Sequence, residues 1–328
     1  MQLPPRLRHT LEVCSTAFPR SELESAARRL SERYRRLEKA DAMLGLTSAS
    51  EAMAYGATRL PATYASASRA LEALKRGLPN FSPVSLLDVG AGPGTASFAA
   101  IEQWPGICEL ALIEPNTHLV TLGRELLHTS YPNLQAMWRQ AEITSLALED
   151  EQHDVVICAY VLNEIEQEKG KKAVEATVRK LWNATRGALV IVEPGTPAGY
   201  TSLMHIREWL VEAGAHLVAP CAHSKPCPLI TQIPKKWCHF SVRVERSKLH
   251  RQVKQDAALP YEDEKFAYIV VSRHMPVMPS YRLIGHPRGT KAVESDVCSS
   301  SGEVKHLTIK KSHPQHKAFR KAQWGDAI

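Results

Sequence analysis

The feature that most constrains this chain is a glycine-rich turn set directly after an apolar run. Val84-Ser85-Leu86-Leu87-Asp88-Val89 reads as a buried strand. It leads into Gly90-Ala91-Gly92-Pro93-Gly94, and a helix follows through Phe98 and Ile101. Glycine has no Cβ, so a backbone built this way can take left-handed dihedrals and approach a ligand closely. A strand, a G-x-G-x-G turn and a helix belong to an α/β sheet that binds ligands at the carboxyl ends of its strands. The spacing departs from the G-x-G-x-x-G of dinucleotide-binding folds. No G-x-x-x-x-G-K-[ST] loop occurs, which argues against a nucleoside triphosphatase.

The rest of the middle section keeps the same rhythm. Leu110–Ile113 predicts a second strand, closed by Glu114, and Leu119–Leu127 a helix. Strands are expected near Leu134–Trp138, over Asp154–Ala159 and over Ala188–Val192, with a helix across 167–185. Near-continuous apolar strands imply a mostly parallel sheet covered on both faces. A carboxylate at Glu114 can accept both hydroxyls of a ribose. The turn and Glu114 together resemble motif I and the acidic strand end of the class I S-adenosylmethionine-dependent methyltransferases, a Rossmann-like fold. On that resemblance the cofactor-binding residues are Asp88, Gly90, Gly92, Gly94, Glu114 and Asn163. Asn163-Glu164 follows the fourth strand, where it can meet the cofactor or the methyl acceptor, or cap a helix.

No catalytic residue is named. Tyr160-Val161-Leu162-Asn163-Glu164 stands where amino-methyltransferases often carry Asn/Asp-Pro-Pro-aromatic. Cys158 lies inside the fourth strand and reads as buried and inert.

Ahead of this core, Ser21-Glu22-Leu23-Glu24 has a capping-box pattern. Leu23, Ala26, Ala27, Leu30, Tyr34 and Leu37 then form one apolar helical stripe. Arg28, Arg29, Arg33, Arg35 and Arg36 share the other face, either as solvated charge or as phosphate contacts. Behind the core, strands are expected at His239–Arg246 and Phe266–Arg273, paired as an antiparallel return, and at His306–Lys310. The chain thus divides into a helical section (1–80), a methyltransferase-like domain (81–275) with a Cys-rich insertion (218–238), and a basic extension (276–328).

Charge is distributed unevenly along the chain. Basic residues number 13 against 8 acidic over 1–80, 10 against 17 over 81–230, and 18 against 9 over 231–328. Basic flanks suit a polyanionic partner. No apolar run reaches the ~18 residues that span a bilayer, so no membrane partner is expected.

Three of the seven cysteines, Cys221, Cys227 and Cys238, fall within one Pro-rich stretch. The C-x5-C spacing is wider than the C-x2–4-C of zinc knuckles. Iron–sulfur clusters take four thiolates, and these can come from distant segments. Cys298 is the candidate fourth. His223 and His239 keep a mixed Cys/His zinc site open, and unrelated cysteines are the plain alternative. An odd cysteine count suits a reducing compartment.

Several segments together resemble one family, the small-ribosomal-subunit methyltransferase-like assembly factors of bacteria and mitochondria. These segments are Leu30–Arg35, Ala54–Tyr64, the Asp88–Gly94 turn, Tyr160–Glu164, Val192–Pro197, Ala219–Leu229, Trp237–Ser241 and Leu259–Phe266. The resemblance implies S-adenosylmethionine binding, the small ribosomal subunit and its rRNA as partners with no DNA, and a 4Fe–4S cluster on Cys221, Cys227, Cys238 and Cys298. The cluster would fasten the extension to the core. Lys235-Lys236, Arg243, Arg246, Lys248, Arg251, Lys254 and Lys310-Lys311 would meet rRNA phosphates. Two other functions stay open: a non-catalytic iron–sulfur assembly factor, and a small-molecule methyltransferase with structural zinc. The early acidic residues Glu12, Glu22 and Glu24 favour a bacterial cytoplasm over a mitochondrial matrix.

Overall fold

A computed structural model describes residues 1–37, 45–148, 150–254 and 259–328, apart from the side chains of 34–37. The chain forms two compact units that interleave along the sequence. The first holds Met1–Arg69, Ser82–Arg186 and Val242–Glu264. The second holds Ala70–Phe81, Gly187–Ser241 and Lys265–Ile328.

The first unit opens with helices α1 (Pro5–Ser15), α2 (Arg20–Leu37) and α3 (Ala49–Thr58), followed by the start of α4 (Leu60–Gly77). Helix α3 is buried along almost its whole length because its residues are small. A Cβ on Gly56 would meet Leu11 Cδ2 at 3.1 Å and Leu122 Cδ2 at 3.2 Å. Helix α2 starts at Arg20, with the Pro19 carbonyl accepting from the Glu22 and Leu23 amides. Ser21 is therefore not the cap expected of it, and Glu24 pairs with Arg20 instead. A reciprocal cap instead opens α3, where Ser48 Oγ accepts from the Glu51 amide and the Glu51 carboxylate accepts from the Thr47 amide. Arg29 and Arg33 both pair with the buried Glu51 carboxylate. Arg35 and Arg36 have side chains outside the described residues.

The α/β rhythm then appears as read: β1 (Ser85–Val89), α5 (Thr95–Gln103), β2 (Glu109–Ile113), α6 (Thr117–Ser130), β3 (Ala136–Arg139) and β4 (His153–Ala159). These strands are parallel, in the order β3-β2-β1-β4. Strand β1 is buried at every residue, as a strand covered on both faces must be. The single helix expected over 167–185 is two, α7 (Leu162–Lys169) and α8 (Lys171–Asn183). They are parted at Gly170, whose φ of +78° ends the first.

The second unit contains most of β5 (Thr185–Pro194), then α9 (Pro197–Glu212) and β6 (His216–Ala219), the last a strand not foreseen. Strand β7 (Phe240–Glu245), short helix α10 (Lys248–Val253) and the first residues of β8 (Tyr261–Ser272) return through the first unit. Strands β7 and β8 pair with each other, as expected of the return. Strand β8 runs antiparallel to both β5 and β6. The basic extension is more ordered than its sequence suggests. It forms β9 (Tyr281–Leu283), β10 (Ala292–Ser299) and β11 (Val304–Lys310) as an antiparallel sheet, followed by α11 (His316–Lys321). Leu283, Val293, Val297 and Phe319 make its core. Among the described residues no helix is long and apolar enough to cross a membrane.

The fold is thus an α/β, class I methyltransferase-like fold with N-terminal helices and a mostly parallel sheet.

Candidate functional site

Two groupings of functional side chains emerge, one in each unit. In the first unit, the β1–α5 turn holds three glycines in the left-handed region: Gly90 (φ +64°), Gly92 (+55°) and Gly94 (+84°). At Gly90 a Cβ would also strike Val161 Cγ2 at 2.2 Å. At Gly92 it would point into open space, with the Tyr55 hydroxyl 4.0 Å away. The backbone there is open to close approach by a ligand. Asp88 lies beneath the turn, 1% exposed. Its carboxylate accepts from the Ser97 amide (2.9 Å) and hydroxyl (2.7 Å), tying strand to helix. Burial is the main cause that lifts its pKa to about 6, against the pull of Ser97.

Glu114 ends β2 with both carboxylate oxygens engaged. One accepts from the Gly92 amide and the other from the Asn116 amide, each at 2.9 Å. An ionised carboxylate has about four acceptor positions, so each oxygen keeps one for a ribose hydroxyl. Thr95, at the first turn of α5, was not singled out from sequence. Its hydroxyl is buried and has no hydrogen-bond partner among the described residues. A donor at a helix N-terminus suits an anionic group such as a carboxylate.

Asn163 and Glu164 fall in the first turn of α7. Glu164 is exposed to solvent. Desolvation, and then the charges of Glu114 and Glu168, raise its pKa to about 7. Just before α7 stands Tyr160, with φ at +63°, the one described non-glycine residue in that region. Its hydroxyl lies 2.9 Å from a Glu264 oxygen and 3.0 Å from Ser66 Oγ. Glu264 also pairs with Arg59. Cys158 is fully buried in β4, as read from the sequence.

In the second unit, Cys221, Cys227, Cys238 and Cys298 line one cavity together with Tyr200 and Arg282. The Tyr200 hydroxyl is 3.1 Å from Cys227 Sγ, and His223 Nε2 is 3.3 Å from Cys298 Sγ. His239 is not on this wall; it stacks on Trp237. Burial, followed by the neighbouring thiols, pushes Cys227 up, Cys238 well up and Cys298 to about 12. Among the described residues no group of three or more His, Cys, Asp or Glu side chains closes on a point that would hold a single metal ion.

Two buried arginines stand near these thiols, Arg282 in the cavity lining and Arg207 close enough to favour the thiolates of Cys227 and Cys298, and sequence reading missed both. Arg207 and Arg282 are only 2% and 3% exposed. Arg207 donates to the carbonyls of His223 (3.0 Å) and Lys225 (2.6 Å), while its Nε has no partner among the described residues. Arg282 donates to the Pro220 and Gly325 carbonyls. Neither meets a carboxylate among the described residues. Two buried cations without anions are costly. Of the proposed phosphate-binding residues, Arg243 is held by Asp263 and Arg246 by Glu262, whereas Lys235, Lys248, Arg251, Lys310 and Lys311 are exposed.

The family model of the mitochondrial small ribosomal subunit protein Rsm22 matches residues 49–328. The chain belongs to the Rsm22 family. A human relative of this Rsm22-family chain is the mitochondrial ribosome assembly protein METTL17, 26% identical over 297 residues, covering 84% of this chain and 62% of the relative. The mitochondrial Rsm22-cox11 tandem protein 2 of Schizosaccharomyces pombe is 23% identical over 322 residues, covering 84% and 43%. The Rsm22-family chain therefore spans less than two thirds of either relative. Solved structures with a similar course include a putative RNA methyltransferase from Pyrococcus horikoshii (15% identity, 63% of this chain and 82% of that one, TM-score 0.41). The magnesium protoporphyrin IX methyltransferase of Synechocystis, with bound S-adenosylmethionine, is another (11%, 74% and 91%, TM-score 0.40).

Proposed function

We propose that this chain is an S-adenosylmethionine-binding assembly factor that contacts the RNA of a small ribosomal subunit. On this reading it carries a 4Fe–4S cluster on Cys221, Cys227, Cys238 and Cys298. The observation that carries the cluster is the pair of buried guanidinium groups, Arg207 and Arg282, beside four crowded thiols. Four thiolates around an iron–sulfur core leave net negative charge, and these two cations offset it. The cluster would supply a structural tie among the loop of 221–238, β10 and their neighbours.

S-adenosylmethionine would supply an electrophilic methyl group. Gly92 would leave space for the cofactor, Glu114 would offer acceptors to its ribose, and Thr95 with the α5 N-terminus would hold its carboxylate. Asp88 and Ser97 hold the turn in shape. Exposed Lys310 and Lys311, with Lys235, Lys248 and Arg251, would meet RNA phosphates. The relatives are named as mitochondrial; the compartment here is that of the small subunit served, bacterial cytoplasm or mitochondrial matrix.

A specific observation favours binding without methylation. The Tyr160 hydroxyl, at the edge where an acceptor would lie, is held by Glu264 and Ser66, which keeps it from taking a proton as a base. Transfer of labelled methyl from the cofactor to immature small subunits separates the two readings. A Gly90→Arg chain is the control, since its side chain would drive into Val161. Transfer above that control establishes the enzyme. Equal, negligible transfer with cofactor binding intact by calorimetry establishes the binder. For the metal, anaerobic iron and sulfide analysis should find about four of each per chain; tightly bound zinc alone would overturn the cluster.

A further inference from the structure

Beside the cysteine wall, four rings from three separate stretches of sequence make contact in series. Trp237 stacks on His239 with centroids 5.0 Å apart and planes at 26°. His239 meets the edge of Trp324 at 4.8 Å, and Trp324 meets His286 at 5.1 Å. None of the four is buried, and His286 is exposed. The Trp324 indole N–H has no acceptor among the described residues, so no hydrogen bond dictates how that ring is turned. Aromatic side chains of a hydrophobic core are normally covered; a run of partly open rings offers faces to something flat.

Exposed cations outnumber acids around the run, although Asp326 follows Trp324 by two residues and its carboxylate accepts from the Gln323 amide. The Gly195 carbonyl accepts from Trp237 Nε1 (2.9 Å), and the Gly195 amide donates to the Lys265 carbonyl (3.0 Å). Exposed Lys265 is thereby fixed beside Trp237. Exposed Arg288 follows His286 by two residues, and Lys235 precedes Trp237 by two. The segment 304–325, which delivers Trp324, holds six Lys and Arg and no acidic residue. Flat rings interleaved with cations bind single-stranded nucleic acid, in which each base stacks and each phosphate is neutralised. A duplex keeps its bases stacked inside and cannot use the rings.

We infer that Trp237, His239, Trp324 and His286 form a base-stacking platform for unpaired RNA. This rests on the RNA-contacting function above and adds which form of RNA is held, and by what.

The test is a fluorescence titration of the full chain, purified anaerobically, with a ten-nucleotide oligouridylate and with an RNA hairpin of matched charge. The oligouridylate should quench tryptophan emission, and Trp324→Phe should remove part of the quench while keeping the affinity. Trp324→Ala and His286→Ala should each weaken the single strand about tenfold or more and leave the hairpin little changed. Iron content and the circular dichroism of each variant report whether the cysteine wall and the fold persist. Unchanged single-strand affinity in both alanine variants, with the wild type binding, overturns the platform. So does an equal loss for strand and hairpin in variants that keep their iron and fold. A wild type that binds neither RNA overturns the underlying function as well.

Discussion

The Tyr160 hydroxyl donates to the Glu264 carboxylate at 2.9 Å, and Tyr160 holds a φ of +63° that a tyrosine rarely adopts. The strained backbone and the long-range bond coincide at the end of β4. Arg59 joins from the other side of Glu264. Burial, then the Glu264 charge, drives the phenol pKa well up, so the hydroxyl stays a donor across the working range.

Tyr160→Phe should therefore lose about 1–2 kcal/mol in urea unfolding. Glu264→Gln should lose less in the Tyr160→Phe background than in the wild type, because the two changes remove one interaction. Additive losses would show that the bond does not hold the turn.

Glu164 predicts a pH dependence for cofactor binding. With its pKa near 7 in the fold, the carboxylate is present above that pH and neutral below it. The S-adenosylmethionine sulfonium should thus bind more tightly as pH rises from 6 to 8. S-adenosylhomocysteine, which lacks the sulfonium charge, should change less, and Glu164→Gln should flatten the difference. Calorimetry at three pH values measures it.

Glu51 predicts an acid-sensitive contribution to stability. Burial opposes its ionisation, but Arg33, the Thr47 amide and Arg29 outweigh that and hold its pKa at about 2. A carboxyl depressed from an unfolded value of about 4.3 stabilises fully above that value. The contribution fades as pH falls from there through 2. Glu51→Gln should cost about 3 kcal/mol at pH 7 and little at pH 2, read from denaturant melts.

The buried arginines predict a redox effect. Reduction adds a negative charge to a cluster, and each nearby cation favours it. Arg282→Gln should lower the midpoint potential in a redox titration followed by electron paramagnetic resonance, with iron retained. An unchanged potential would remove Arg282 from the electrostatics of the site.

Much of the parallel half was legible because β1, β2 and β4 are apolar runs with glycine or an acid at their ends. The β9–β11 sheet was not. On β10 the buried positions include the polar Ser295 and Ser299, and on β11 Lys305 shares the phase of Leu307 and Ile309, so the apolar alternation that marks a strand is weak. The break at Gly170 was missed because one glycine in a charged run is not by itself a stop signal, and its positive φ is visible only in the structure. At the site, the glycine turn announces itself by composition. Thr95, Arg207 and Arg282 do not, since a threonine or an arginine becomes distinctive only once it is buried. The bond between Tyr160 and Glu264 spans 104 residues, beyond any local pattern.

Each set of proposed ligand-holding residues lies wholly within one compact unit, the glycine turn in the first and the cysteine wall in the second. Selection can then act on them separately. A lineage that no longer needs methyl chemistry can let the turn drift while the cysteines and their two arginines are kept. Comparing substitution rates at the two sets among descendants would show which of the two is still under selection.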